Sequence, residues 1–312
     1  MTIPASLGYP QYSGALVPPV LANEILMEYK TGTVFQDISN TRALNQLQGK
    51  GDTIRFMKEP DVNIRPYTKN QEIVSDTHEV KTIELVIDEA WYFSCKLDDI
   101  DFKMAPHARQ LFNMVRKKAS EKITETVDTL MLSNLFAEVA PENQGVNAGA
   151  KSRNIDLGQI GAPVNLDADN CHEILACIGN VLTQAKCPKG NRFVVVPPEF
   201  EKCIQLSPKL SDASYLGAGQ SQILNGKMFS SLYGFDIYVS HNMPMNLDPV
   251  TNQMTYNLLA GCKDTVAFAS CLDNVRIVKP TNTFSQELQG MVVFGYGVLH
   301  DRGLANAYVT IN

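Results

Sequence analysis

Five histidines, His78, His107, His172, His241 and His300, are the first candidates for chemistry. A hydrolytic zinc site on a helix needs two of them one turn apart, as in HExxH, and no pair has that spacing. His107 and His172 fall in the first turns of expected helices and read as exposed polar residues. Leu97-Asp98-Asp99-Ile100-Asp101 gathers carboxylates but lacks the central glycine and closing glutamate of a calcium loop. Its charge suits the positive end of a following helix better. Gly217-Ala218-Gly219-Gln220-Ser221-Gln222 opens like a dinucleotide loop, then ends in glutamine and follows no strand. There is no GxxxxGKS/T cradle, no GxSxG elbow and no local Cys–His signature. Arg116-Lys117-Lys118 is a dense basic triplet that reads as a solvated helix face, with a nucleic-acid contact as the alternative. The seven cysteines (Cys95, Cys171, Cys177, Cys187, Cys203, Cys262 and Cys271) are odd in number and form no CxxC pair, so free thiols are expected. No catalytic, cofactor-binding or metal-ligating set emerges, and neither an enzyme nor a cofactor is expected.

Composition narrows the class further. With 312 residues, 44% hydrophobic and 19% charged, the chain has a folded protein's balance. Its net charge of −6 argues against a broad electrostatic nucleic-acid surface. No run of 18 apolar residues predicts a membrane span, and the N-terminus lacks a secretory pattern.

The elements that position these residues begin with a long polar ribbon, about Gly51 to Leu97. From Ile83 to Leu97 apolar and polar residues alternate with period two, broken only at Glu89. The nearest pairing partner is Asp52–Met57. Between them, Lys58 to His78 carry Val62, Ile64, Tyr67, Ile73 and Val74 as the only sizeable apolar or aromatic side chains. A connection of that length without its own core is functional or disordered. A helix from about Pro106 to Phe136 follows, with an apolar stripe through Leu111, Val115, Ala119, Ile123, Val127 and Leu130. Its other face carries Arg116, Lys117, Glu121 and Asp128. About 31 residues at ~1.5 Å rise make a rod of roughly 46 Å.

Residues Met1 to Pro19 read as an extended arm leading into a short amphipathic helix, Val20 to Tyr29. After the long helix, the glycine- and asparagine-rich stretch from Pro141 to Pro163 reads as a boundary. Asp167 and Asp169 offer caps for a helix through Cys171, Ile174, Leu175, Ile178 and Leu182. A buried strand, Arg192–Val196, a helix near Glu199–Gln205, and strands at Phe235–Ser240, Met254–Ala260 and Thr265–Ala269 complete a mixed α/β region. Strands near Val275–Val278, Met291–Leu299 and Ala305–Ile311 close the chain and are expected to pack antiparallel against the long helix.

The order and spacing of several of these segments resemble the major capsid proteins of tailed bacteriophages, with the Hong Kong 97-type fold. The segments are the arm helix (Val20 to Tyr29), Gly51-Asp52-Thr53-Ile54-Arg55-Phe56, the return strand with Asp98-Asp99-Ile100-Asp101, and the long helix ending near Asp128-Thr129-Leu130-Met131. The others are Arg192–Pro198, Gly234 to Pro244 and Gly295-Tyr296-Gly297. The resemblance implies an α+β fold: an N-terminal arm (1–48), an E-loop β-ribbon (49–100), a peripheral domain with a long spine helix (101–165), an axial domain (166–272) and closing peripheral strands (273–312). It implies pentamers and hexamers of the chain itself, tiling an icosahedral or prolate shell around double-stranded DNA held by non-specific proximity. A separate scaffolding protein, suggested by the short lead into the arm, a portal protein and a decoration protein are the implied partners; no membrane is. The charged ribbon residues Lys58, Glu59, Asp61, Arg65, Lys69 and Glu72 are the expected inter-subunit contacts. A Lys–Asn cross-link occurs in some members; Lys58, Lys69 or Lys81 with Asn282 or Asn306 matches no motif, so none is predicted.

Two other readings stay open. A nanocompartment shell enclosing an enzyme shares the fold class. A cytosolic α/β enzyme would need a cavity joining His172, His241 and a carboxylate.

Overall fold

The interruption at Glu89 marks the point where one run of alternating residues becomes two strands in two different sheets. The computed structural model describes residues 33–40, 53–58, 62–72, 75, 82–98, 108–207, 231–281 and 284–311. Residues Gly32–Asn312 form one compact unit. The arm helix Val20–Tyr29, Pro106, and the ribbon residues Glu59, Asp61 and Lys81 lie outside the described residues.

Strands β1 (Thr53–Met57) and β2 (Thr82–Val86) form a two-stranded antiparallel ribbon, with Thr53 opposite Val86 and Met57 opposite Thr82. Ile87 and Asp88 interrupt it. The next strand, β3 (Glu89–Asp98), leaves the ribbon and pairs antiparallel with β11 (Ser285–Val298). The expected single return strand is therefore two. Strand β1 has only five residues to offer, whereas β11 presents a continuous backbone edge opposite Glu89 to Asp98. Strand β11 is central in a three-stranded sheet, flanked by β3 and β10 (Val266–Val278), with a bulge between Ser270 and Leu272.

The second sheet has seven strands. Its order is β4 (Val164–Leu166), β12 (Leu304–Ile311), β9 (Met254–Cys262), β5 (Arg192–Val196), β7 (Phe235–Val239) and β6 (Ser231–Leu232), with β8 (Met245–Leu247) also on β9. The pairs β5–β7 and β4–β12 are parallel, and the rest are antiparallel. The last strand joins this sheet and does not pack with the other closing strands on the long helix as expected. Seven of its eight residues are buried, so it needs cover on both faces and strands on both edges, which one helical stripe cannot provide.

Helix α1 is a single turn, Phe35–Ile38, and α2 is the long helix, Ala108–Asn134, about 40 Å at ~1.5 Å per residue. A 3₁₀ turn, Leu135–Glu138, continues it. Helix α3 (Cys171–Gln184) buries Ile174, Leu175, Ile178, Val181 and Leu182 against the seven-stranded sheet. Asn170 occupies its cap position, in place of the expected Asp167 or Asp169, and the Asn170 side chain accepts the Asp167 N–H. Helix α4 (Pro198–Leu206) buries Phe200, Cys203 and Ile204. Between the end of α3 and strand β5, the buried Arg192 guanidinium donates to the carbonyls of Gly179, Cys187 and Pro188 and to the Thr183 hydroxyl. These bonds pin the loop at Cys187 and Pro188 to the last turns of the helix and pair a charge that burial would otherwise leave costly. The main core runs from Phe35 and Ile38 through Met131 and Leu135 to Phe193, Phe200, Phe235 and Phe294. Each such side chain contributes about 1.5–3 kcal/mol on full burial.

Candidate assembly interface

The ribbon has a clamped root and an uncovered far end. At the root, the cross-strand pair Ile54 and Leu85 joins Ile87, Ala267 and Ala269 in a small buried cluster, with Phe56, Val293 and Leu299 packed on it. Two glycines of β11 make this approach possible. A Cβ on Gly295 would collide with the Val86 carbonyl and lie 2.9 Å from Ile87 Cα, and one on Gly297 would lie 3.1 Å from Leu85 Cδ1. A third, Gly290, sits under the Phe93 ring from β3. The Gly295-Tyr296-Gly297 motif is therefore the seat of the ribbon.

Beyond the root every described residue from Val62 to Glu72 is exposed. Ile64 is 95% exposed, Tyr67 68% and Val62 63%. The segment has no strand or helix apart from a turn at Thr68–Gln71, held by Thr68 N–H and hydroxyl donation to the Gln71 side-chain oxygen at 3.1 and 2.8 Å. Lys58, Arg65, Lys69 and Glu72, all exposed, are strung along this flap and not gathered into one site; Glu59 and Asp61 lie outside the described residues. Arg55 and Glu84, cross-strand partners, make an exposed ion pair at 2.8 Å. Such a pair contributes about 0–1 kcal/mol.

One residue escaped the sequence reading. The apolar stripe puts Asp128 on the polar face of the long helix, yet it is fully buried. Its Oδ1 accepts the N–H groups of Val34 (3.0 Å) and Phe35 (2.9 Å). Its Oδ2 accepts the Asn242 amide (2.8 Å) and the Ser240 hydroxyl (3.3 Å). A single carboxylate thus ties the segment before α1, the long helix and the loop after β7. Its position gives a signal: Asp128 follows buried Val127 and lies one turn before buried Leu132, on the margin of the stripe. Two motif fragments that carry the capsid resemblance, Asp128–Met131 and Ser240–Pro244, meet here.

The remaining candidates are dispersed. His172 is buried, not exposed as expected, because the first turn of α3 packs inward with Cys171 and Leu175. His241 is exposed between the inward-facing Ser240 and Asn242. Burial pushes the thiols of Cys171 and Cys187 up to about 11. The hydrogen bond from the Lys263 ammonium to the Tyr238 hydroxyl (2.8 Å), helped by Asp236 at 3.2 Å, raises the Lys263 pKa. Among the described residues no three His, Cys, Asp or Glu side chains are placed to hold a metal, and no helix is long and apolar enough to cross a membrane. A groove of about 680 Å³ between α2 and the three-stranded sheet is rimmed by Arg116 and Lys117 and floored by Phe93, Phe268 and Val292. A smaller hollow of about 310 Å³ lies over Gly290, beside Tyr92 and Arg276. Neither joins His172, His241 and a carboxylate.

No protein-family model and no curated protein matches the sequence. Solved structures do. The structure from Mycobacterium phage Che8 is 19% identical, with a TM-score of 0.67 over 95% of this chain and 97% of that one. The capsid of cyanophage P-SCSP1u is 15% identical, with a TM-score of 0.66 over 95% and 94%. The mature capsid of bacteriophage PhiM1 is 15% identical, with a TM-score of 0.65 over 95% and 92%.

The fold is that of Hong Kong 97-type phage capsids.

The shared fold extends over 95% of the chain. The ribbon root and the buried Asp128 junction are both places where segments far apart in this fold are fixed to each other.

Proposed function

We propose that the chain is the major capsid protein of a tailed bacteriophage. Copies join as pentamers and hexamers into an icosahedral or prolate shell around double-stranded DNA, assembled in the host cytoplasm and retained in the virion. Scaffolding, portal and decoration proteins are its further partners. The arm, E-loop, peripheral and axial division is kept, with β12 moved to the axial region. The role is structural and not catalytic. One observation carries this reading: the flap from Val62 to Glu72 is wholly exposed although its root is clamped. On this extended backbone Val62, Ile64 and Tyr67 stand in water. Laid across a neighbouring copy it would bury apolar surface at about 25 cal/mol per Å², with Lys58, Arg65, Lys69 and Glu72 as a polar rim. Many modest contacts then reinforce one another in a closed shell. Electron microscopy and sedimentation velocity of the expressed chain, with and without its scaffold, test this. Rings or shells in the megadalton range are expected. A chain that stays at 34.5 kDa under every condition would refute it.

A further inference from the structure

Segments far apart in sequence meet at one end of the seven-stranded sheet and display an apolar surface there. Strand β8 pairs with the start of β9, setting Met245 opposite Tyr256 and Leu247 opposite Met254. The turn at Gln159–Ala162 lies against the loop after β8: Gly161 has φ of +88°, and a Cβ on it would sit 3.2 Å from Val250 Cγ2. Ile160 is 69% exposed, Met245 53%, Leu247 55%, Val250 72% and Met254 52%.

This surface is built, not frayed. Asp248, itself buried, accepts the N–H groups of Val250 (2.8 Å), Gly161 (2.9 Å) and Thr251 (3.4 Å). Its own N–H donates to the Gln253 carbonyl at 2.9 Å, and its carbonyl accepts from Asn252 at 3.0 Å. One carboxylate thereby locks both loops, so the display is ordered before any partner arrives and little entropy is lost on docking.

The surface is also poor in charge, with the exposed Asp156 and Asp167 at its edge. The chain holds 27 Lys and Arg and 33 Asp and Glu, yet residues 242–255 contain only Asp248 among these, and 157–166 and 304–311 contain none. Glu199, facing Tyr256, stands at the inner margin. Copies carrying −6 each repel across most of their surface. An apolar window with few charges is where two of them can approach with the fewest like charges opposing. Five large apolar side chains exposed together on adjoining strands and turns are the kind of patch that marks interaction sites.

We infer that the β8–β9 end of the sheet, with Ile160, is a contact surface between copies of this chain, separate from the flap. The inference rests on the shell reading above. The test compares three full-length chains by sedimentation velocity and electron microscopy: unaltered, Ile64→Asp, and Leu247→Asp with Val250→Asp. Circular dichroism melts report folding. The double variant should fold with an unchanged melting temperature and lose at least about ten-fold in assembled fraction. In a second measurement, a benzophenone amino acid at position 247 of the otherwise unaltered chain should give a photo-adduct at twice 34.5 kDa. This readout stands even if the double variant fails to fold. Assembly of the double variant like the unaltered chain would overturn the inference and leave the shell reading intact. So would photo-adducts confined to one chain or formed with a different polypeptide. An unaltered chain that never associates would overturn both.

Discussion

Strand β5 and the flap treat their apolar residues in opposite ways. All five residues of β5 are buried, and all of 62–72 are exposed. Phe193 has no solvent contact; Ile64 has almost nothing else. One stretch is stabilised by its own chain; the other, on the proposed reading, is covered by a second. Stability and assembly should therefore respond to different residues.

The largest expected effect is Phe193→Ala. It opens a cavity in the sheet core and should cost about 3–5 kcal/mol, lowering the melting temperature by roughly 10 °C in calorimetry. Ile64→Ala should leave the unassembled chain's melting temperature within about 1 °C while weakening assembly. Equal losses of stability from both would break the contrast.

Asp128→Ala comes next. It strands the Val34 and Phe35 N–H groups and the Asn242 amide in the interior. At about 1–3 kcal/mol for each unpaired buried group, a net loss near ~3 kcal/mol is expected in urea unfolding, with Asp128→Asn losing less. Gly295→Val drives a side chain into Val86 and Ile87 and should cost about 1–3 kcal/mol. Its distinguishing mark is faster tryptic cleavage after Arg55 and Lys58, since the ribbon root is lifted; unchanged cleavage would show that the flap does not depend on its seat.

Acid should single out Asp248. Donation from the Val250 N–H, then from Gly161 and Thr251, holds its carboxyl below the ordinary carboxylate value. The stability this lends is complete above the unfolded value of about 3.9 and is lost as pH falls through the lower folded value. Asp248→Asn should flatten the acid limb of a plot of melting temperature against pH between about 2 and 5. The smallest effect belongs to Glu84→Ala, under about 1 kcal/mol and shrinking with salt, because its pair with Arg55 is exposed.

Much of this fold was legible from periodicity. The stripe on 108–134 and the all-apolar run at β5 each specify an element with little competition from other patterns. The interruption at Glu89 was visible too, but not its meaning: alternation says which face a strand buries, not which edge it joins. For the same reason β12 was placed in the wrong sheet, since its partners β9 and β4 lie far away in sequence. The flap was readable as a segment without a core. The Asp128 junction and the buried His172 were not, because a polar residue on a stripe margin looks the same whether its donors come from water or from segments roughly a hundred residues away.

Only Ile87 and Asp88 separate the ladder of the ribbon from the ladder of β3. An insertion there of one residue would exchange the two faces of β3 and turn Phe93 away from Gly290. Within the described residues 62–72, by contrast, added residues change no pairing in the ribbon or in the three-stranded sheet. Evolution can thus lengthen or shorten this subunit's reach freely at the outer end, while the parity of the two-residue joint is frozen.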